Sequence, residues 1–258
     1  MSAPLLRCTK VTRRFGGVLA LDGLDLQLDE GRVLGLIGPN GSGKTTFFNV
    51  LTGIFPATSG DVEFAGARIT DFRPQQVYRT GIARTFQRSR LCLPLSIFDN
   101  LMIGNHQRLD HGLFFNVLRR RALRLQVEQA RSEAVELLRV FDEPLAGRLL
   151  EPVSRVPMID RRRIEICRAL ISRPHLLLLD EPSAGMTHEE TQRLMDDLLL
   201  VKRRMARLTI ILIEHEMTVI ERITDRCVVL NYGRKIAEGT YAEVARDPQV
   251  RQAYLGLE

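Results

Sequence analysis

The residues Gly38-Pro39-Asn40-Gly41-Ser42-Gly43-Lys44-Thr45-Thr46 follow the spacing Gly-x-x-x-x-Gly-Lys-Thr directly after the apolar run Val33-Leu34-Gly35-Leu36-Ile37. A short, dense apolar run suits a buried strand. Glycines after it let backbone N–H groups close around an anion, and Thr45-Thr46-Phe47-Phe48-Asn49-Val50-Leu51 can start a helix whose positive end faces phosphate. In that setting Lys44 reaches β- and γ-phosphates, and the Thr45 hydroxyl can ligate Mg²⁺. The competing reading is a glycine turn with an incidental lysine; the strand before the loop and the helix after it weigh against this.

A loop that grips phosphates needs a carboxylate for the metal and a group to orient the attacking water. The run His175-Leu176-Leu177-Leu178-Leu179-Asp180-Glu181 supplies both at the end of an apolar strand. Asp180 would face the metal through water or Thr45, and Glu181 could polarise the nucleophilic water, with Pro182 turning the chain. A second buried run, Ile210-Ile211-Leu212-Ile213-Glu214-His215, delivers a histidine to the same carboxyl edge of a parallel sheet. His215 there would contact the γ-phosphate and hold water and Glu181 in line, which is electrostatic positioning more than proton transfer. Gln87 carries an amide that can ligate Mg²⁺ or a water and does not titrate. Phe15, before Gly16-Gly17, can stack on adenine or belong to the core.

These groups need a scaffold. Leu24 to Asp29 and Asp61 to Phe64 alternate apolar and polar residues, the period of a half-buried antiparallel strand. Val33 to Ile37, His175 to Leu179, Thr209 to Ile213 and Cys227 to Leu230 are mostly solid apolar runs, which suit central strands of a parallel sheet. From Leu91 to about Pro157 strand signals vanish, and Leu123, Val127, Ala130, Ala134, Leu137, Leu138 and Phe141 mark an amphipathic helix. A further helix starts at Thr187, where Thr187-x-x-Glu190 forms a capping box. The expectation is one α/β domain over 1–258 with a mixed or parallel sheet, an N-terminal antiparallel β subdomain and a helical subdomain inserted over 91–157.

With 258 residues, 45% hydrophobic and 26% charged, the chain can bury a sizeable core and is not globally disordered. The net charge of +6 admits nucleic acid, an anionic surface or phosphate-rich ligands as partners. Arg119-Arg120-Arg121, Arg161-Arg162-Arg163 and Lys202-Arg203-Arg204 lie in helical patterns, where a solvated face is the commonest use. Cys8, Cys92, Cys167 and Cys227 are scattered without a CxxC pair, which points to a reducing compartment and no structural metal. The N-terminus lacks a secretory apolar region, and the apolar stretches are too short to span a bilayer.

Taken in order, the phosphate loop, Gln87, the Leu176 to Glu181 run and His215 resemble the ATP-binding subunits of ABC transporters over nearly the whole chain. Phe15-Gly16-Gly17, Arg84-Thr85-Phe86-Gln87, Glu181-Pro182-Ser183-Ala184-Gly185-Met186, Ile213-Glu214-His215-Glu216-Met217 and Ala253-Tyr254-Leu255-Gly256 look like the branched-chain amino acid importer subfamily. The resemblance implies a P-loop NTPase of the ABC ATPase type that uses ATP and Mg²⁺. It implies a cytoplasmic protein, peripheral on the inner face of the plasma membrane, docked on transmembrane permease subunits. Two ATPs would lie between two head-to-tail ATPase subunits, with a solute-binding protein as an indirect partner and no nucleic acid. It further implies that Phe15 belongs to the adenine-stacking loop, Gln87 to the loop linking Mg²⁺ to the membrane partner, Ser183 to Met186 to the cross-dimer loop, and that His215 is the switch histidine.

One segment departs from the pattern. The subfamily form Leu-Pro-Tyr-Gly-Asp before Arg162-Arg163-Ile164-Glu165-Ile166-Cys167-Arg168-Ala169-Leu170 is replaced by Val156-Pro157-Met158-Ile159-Asp160. Ile159 stands where the glycine's bare backbone would approach the opposite subunit's γ-phosphate, and a β-branched side chain obstructs that approach. The expectation is a degenerate signature in an asymmetric ATPase pair. Three alternatives stay open: the ATPase subunit of a lipopolysaccharide exporter, an ABC ATPase acting on ribosomes or DNA, and a non-hydrolytic binding module.

Overall fold

The computed structural model describes residues 3–87, 89–109 and 120–255. Arg119, Gly256 and the stretch 110–118 of the expected insertion lie outside them. In chain order the first half contains β1 (Leu6–Phe15), β2 (Val18–Leu28), β3 (Val33–Ile37), α1 (Lys44–Leu51), β4 (Ser59–Phe64), β5 (Ala67–Arg68), α2 (Pro74–Arg79) and β6 (Ile82–Arg84). Next come α3 (Ile97–Asn105), α4 (Arg120–Phe141), α5 (Glu143–Gly147), α6 (Met158–Leu170), β7 (Leu176–Asp180) and α7 (His188–Arg204). The chain closes with β8 (Thr209–Ile213), α8 (Met217–Ile223), β9 (Arg226–Asn231), β10 (Arg234–Gly239), α9 (Tyr241–Val244) and α10 (Pro248–Leu255).

Two compact units emerge, one formed by Met1–Arg84, His175–Glu181 and Met205–Glu258, the other by Thr85–Pro174 and Pro182–Arg204. In the first unit, β3, β7 and β8 are buried at every position, as their unbroken apolar runs require. They lie in a mixed six-stranded sheet of order β10-β9-β3-β8-β7-β6, parallel except for the β10–β9 edge pair. A four-stranded antiparallel sheet of order β2-β1-β4-β5 takes up the alternating segments Leu24 to Asp29 and Asp61 to Phe64. One hydrophobic cluster joins both sheets through α1, whose Phe47 and Phe48 are fully buried among Leu24, Phe64, Leu36 and Ile213. Burying each of those rings stabilises the unit by about 1.5–3 kcal/mol, so α1 is held firmly.

The second unit is helical among its described residues. A Cβ on Gly104 would come within 2.0 Å of the Arg168 carbonyl oxygen, so α3 and α6 approach backbone to backbone. The buried stripe of α4 is narrower than its sequence period suggests: Ala130, Ala134, Leu138 and Phe141 are buried, but Val127 is exposed. Thr187 and Glu190 cap α7 reciprocally, with Glu190 N–H bonded to Thr187 Oγ1 at 3.2 Å and Thr187 N–H to Glu190 Oε2 at 2.9 Å. Arg163 of α6 bonds Asp197 of α7 at 2.9 Å, Asp160 at 3.0 Å and Asp142 at 3.1 Å, placing one cation among three carboxylates. No helix of the described residues is long and apolar enough to cross a membrane.

Candidate functional site

The sheet register explains why distant sequence segments share one edge. Leu179 and Asp180 of β7 align with Leu212 and Ile213 of β8, and Gly35 of β3 aligns with Leu212. Parallel strands in this register release Gly38, Glu181 and Glu214-His215 at their common carboxyl ends, where ligands of open α/β sheets bind.

The phosphate loop is built by its glycines and its lysine. Gly38 has φ +148°, and a Cβ there would stand 2.1 Å from the Leu230 carbonyl oxygen. Gly43 has φ +105° and a Cβ would meet Ala20 O at 2.5 Å. No side chain can occupy either place. Lys44, only 6% exposed, turns its ammonium back into the loop and donates to Gly38 O at 2.7 Å and Pro39 O at 3.0 Å. Burial pushes the Lys44 pKa down, against the opposing pull of Glu181 and Asp180. A depressed ammonium pKa marks a cation short of solvation, which a polyanion would relieve. Gly43, the N-cap of α1, supplies no side-chain cap, and the first turn holds no acidic residue. The first-turn N–H groups thus present uncompensated positive charge.

Other groups in the first unit fit a magnesium nucleotide. Ser42 Oγ is buried with no hydrogen-bond partner, an orphaned polar atom beside the loop amides. The exposed Thr45 and the partly exposed Thr46 open α1, while Pro39 and Asn40 form the loop's outer turn. Among the described residues no group of three or more His, Cys, Asp or Glu could hold a metal by itself. A hard cation here would therefore share its shell between Thr45, Asp180, waters and phosphate oxygens, the habit of Mg²⁺.

Glu181 and His215 meet directly, His215 Nε2 lying 2.7 Å from Glu181 Oε1. The imidazole is half exposed and the carboxylate mostly covered. Glu181 adopts φ +48°, a left-handed backbone on a residue with a Cβ, and its N–H is bonded to Ile213 O at 2.9 Å. Such strain at a strand tip is typical of functional positions. Asp180 is buried, and its Oδ2 accepts a 2.7 Å bond from Arg84 Nη2, a partner for which nothing in the local sequence calls. Phe15 is 38% exposed at the end of β1, with the Arg13 guanidinium 4.4 Å over its ring and Phe55 edge-on at 5.1 Å. Tyr254 of α10, exposed at 41%, also reaches the loop: partial desolvation raises its phenol in pKa, opposed by a hydrogen bond with the Gly38 backbone.

Gln87 and the segment Ser183 to Met186 belong to the second unit. The Gln87 carbonyl accepts a 2.9 Å bond from Arg162 Nη2, and Phe86 O one of 3.3 Å from Arg162 Nη1. Arg162 is paired in turn with buried Glu165 at 2.8 Å, and Glu165 accepts Arg90 N–H at 2.9 Å. The Arg-Arg-x-Glu pattern of α6 is thereby a clamp on the Gln87 loop. Gly185, at φ +81°, would put a Cβ 3.1 Å from Met158 Cε, which sets that turn against the start of α6.

Comparisons with known proteins agree in one direction. The ABC transporter family is matched over residues 21–184, and the branched-chain amino acid ATP-binding cassette transporter family over residues 234–258. The chain is 40% identical over 260 residues to the high-affinity branched-chain amino acid transport ATP-binding protein LivG of Salmonella typhimurium, covering 99% of both. It is 39% identical over 264 residues to the corresponding protein BraF of Pseudomonas aeruginosa, again covering 99% of both. Among solved structures, the ADP conformation of an ATP-binding cassette of an ABC transporter superposes with a TM-score of 0.84 at 28% identity, covering 99% of this chain and 100% of that one. A phosphate loop, an acidic strand tip and a full-length match of this kind make the chain an ABC transporter ATPase, a member of the branched-chain amino acid importer family.

Proposed function

We propose that the protein binds and hydrolyses MgATP as the peripheral, inner-face ATPase subunit of an importer for branched-chain amino acids or a related small solute. The observation that carries this reading is the 2.7 Å Glu181–His215 contact at strand tips adjoining the phosphate loop. Glu181 would accept a hydrogen bond from water and aim it at the γ-phosphorus; His215 holds the carboxylate and reaches toward the γ-phosphate. As the water oxygen bonds to phosphorus, the bond to the β,γ-bridging oxygen breaks, and ADP and inorganic phosphate leave. Lys44 and the amides of Gly41, Gly43, Lys44, Thr45 and Thr46 would stabilise the developing charge. A magnesium ion held by Thr45 and Asp180 would withdraw charge from the β- and γ-oxygens. Phe15 would offer its ring to adenine.

The same reading makes the protein one of two head-to-tail ATPase subunits on a pair of permeases, with a solute-binding protein acting through them. The helical insertion over 91–157 would pass the nucleotide-driven motion to the permeases. Val156-Pro157-Met158-Ile159-Asp160 is a degenerate signature in this view. Ile159 lies in the first turn of α6, after the uncapped Pro157, where a glycine would leave the helix N-terminus open to phosphate. The damaged site would be the one built on the partner's phosphate loop. In a mixed dimer reconstituted with the permeases, Glu181→Gln should remove most turnover, while the same change in the partner should do little. Equal losses from the two changes would refute the asymmetry. Retained turnover with Glu181→Gln would refute the catalytic assignment. Ile159→Gly should raise nucleotide occlusion at the partner's site.

A further inference from the structure

The buried ion pair between Arg84 and Asp180 is not explained by the chemistry of hydrolysis. Both side chains are almost fully enclosed, at 5% and 3% exposure. A buried salt bridge is weak evidence for stability, because well-packed apolar residues often do as well. What distinguishes this one is where the guanidinium's remaining edge goes. Arg84 Nη1 donates to Asn49 Oδ1 at 2.7 Å and approaches Thr52 Oγ1 at 3.4 Å, and its carbon lies 5.3 Å from the Phe48 ring centroid. One planar fork thus grips β7 on one side and α1 on the other.

The register makes this possible. Arg84 of β6 pairs with Leu178 of β7, and Asp180 lies two residues further on, hence on the same face of the sheet. Asn49 lies four residues after Thr45 on α1, hence on the same helical face, one turn along. Asp180 and Thr45 are the two oxygen donors of the first unit assigned to the metal. Arg84 contacts the first directly and the helix of the second one turn away.

We infer that Arg84 is a positioning residue that fixes Asp180 and α1 relative to one another, so that the Thr45 hydroxyl and the free oxygen of Asp180 face one cation. The inference rests on the proposed role of Asp180 toward magnesium. A lysine cannot replace this fork, since a single ammonium cannot span two acceptors with planar, opposed donors. Groups that orient a metal ligand in this way typically change metal affinity by about 10–100-fold when altered.

The test uses the full-length chain and a fluorescent ADP, titrated in EDTA and with increasing Mg²⁺, with the electron paramagnetic resonance spectrum of Mn²⁺-ADP as a second readout. Arg84→Lys keeps a buried positive charge. It should bind ADP in EDTA within about twofold of wild type, yet require about tenfold more Mg²⁺ for the metal-dependent gain in affinity. It should also broaden the Mn²⁺ signal. If Arg84→Lys does not fold, the double variant Arg84→Met/Asp180→Asn removes both charges together and should match Asp180→Asn alone in its Mg²⁺ requirement. The inference is overturned if Arg84→Lys has a normal Mg²⁺ requirement, if affinity falls equally in EDTA and Mg²⁺, or if the double variant needs clearly more Mg²⁺ than Asp180→Asn. A normal requirement in Asp180→Asn itself would sink the metal role of Asp180 instead.

Discussion

Replacing Glu181 by glycine and, separately, by alanine divides the backbone of that position from its carboxylate. Its φ of +48° places a residue with a Cβ in the left-handed region directly after β7. That conformation costs a non-glycine residue about 1–2 kcal/mol. Glycine adopts it freely but loses about 0.5–1 kcal/mol through the greater freedom of its unfolded chain. Both variants forfeit the 2.7 Å contact with His215, so that loss cancels between them. The glycine variant should therefore be more stable than the alanine variant by about 0.5–1 kcal/mol, reversing the order found in ordinary strands. For a chain of this size the difference is about 1–2 °C in Tm, readable by calorimetry without nucleotide. Both variants should release phosphate about 100-fold more slowly or worse when assembled with their partners, since a positioned acid–base group typically contributes at least that much. Alanine equal to or above glycine in Tm would show that position 181 stores no strain. Near-normal turnover in either would show that water does not need this carboxylate.

Three further perturbations address the loop and the second unit. Gly38→Ala would drive a Cβ to 2.1 Å from the Leu230 carbonyl, a backbone atom that cannot swing aside; the urea midpoint should report a loss of about 3 kcal/mol or more, and a smaller loss would mean that the loop relaxes. Lys44→Met deletes the buried ammonium, and calorimetric ATP affinity should fall about 100-fold, equivalent to about 3 kcal/mol, so a surviving ATP-induced rise in Tm would exclude Lys44 as the phosphate lysine. Asp197 is raised from 3.8 to about 6 by burial, with Asp142 and Asp196 adding to the shift and Arg163 opposing it. The folded chain then keeps a proton that the unfolded chain releases, so this group's stabilisation is full below about pH 4 and is lost as pH rises through about 6. It should cost on the order of 1 kcal/mol between pH 5 and 7.5, and Asp197→Asn should flatten the urea-stability profile by that amount; parallel profiles would contradict it.

What the sequence made legible was local. Solid apolar runs announced β3, β7 and β8 because strands covered on both faces have no polar side to show, and the residues leaving those strands are the ones proposed to carry the chemistry. The long hairpin of β1 and β2 was only half visible. Its register shifts between Cys8 and Val11 and again between Val11 and Arg13, and Lys10 turns left-handed, so the two-residue period breaks where a reader would count it. Val127 follows the helical period of α4 yet is exposed, because periodicity gives a face and not its extent.

Positioning residues were the least visible, for a reason that Arg84 makes plain. β6 spans only Ile82–Arg84, too short for any periodic signal, and its meaning lies in pairing with β7, ninety-odd residues later in the chain. Were that register slipped by one residue, the Arg84 side chain would exchange faces and Asp180 would be a buried, unpaired carboxylate, a defect costing about 3–5 kcal/mol. The pairing of β6 with β7 is therefore enforced by the same contact that aims the acid. Arg162 and Glu165 act alike on the Gln87 loop: their pair reads as one turn of a charged helix, and only the fold shows that its donors are spent on the carbonyls of Phe86 and Gln87. An arginine's five donors in a rigid plane serve this purpose, holding a strand tip or a loop from a distance that the linear sequence does not express.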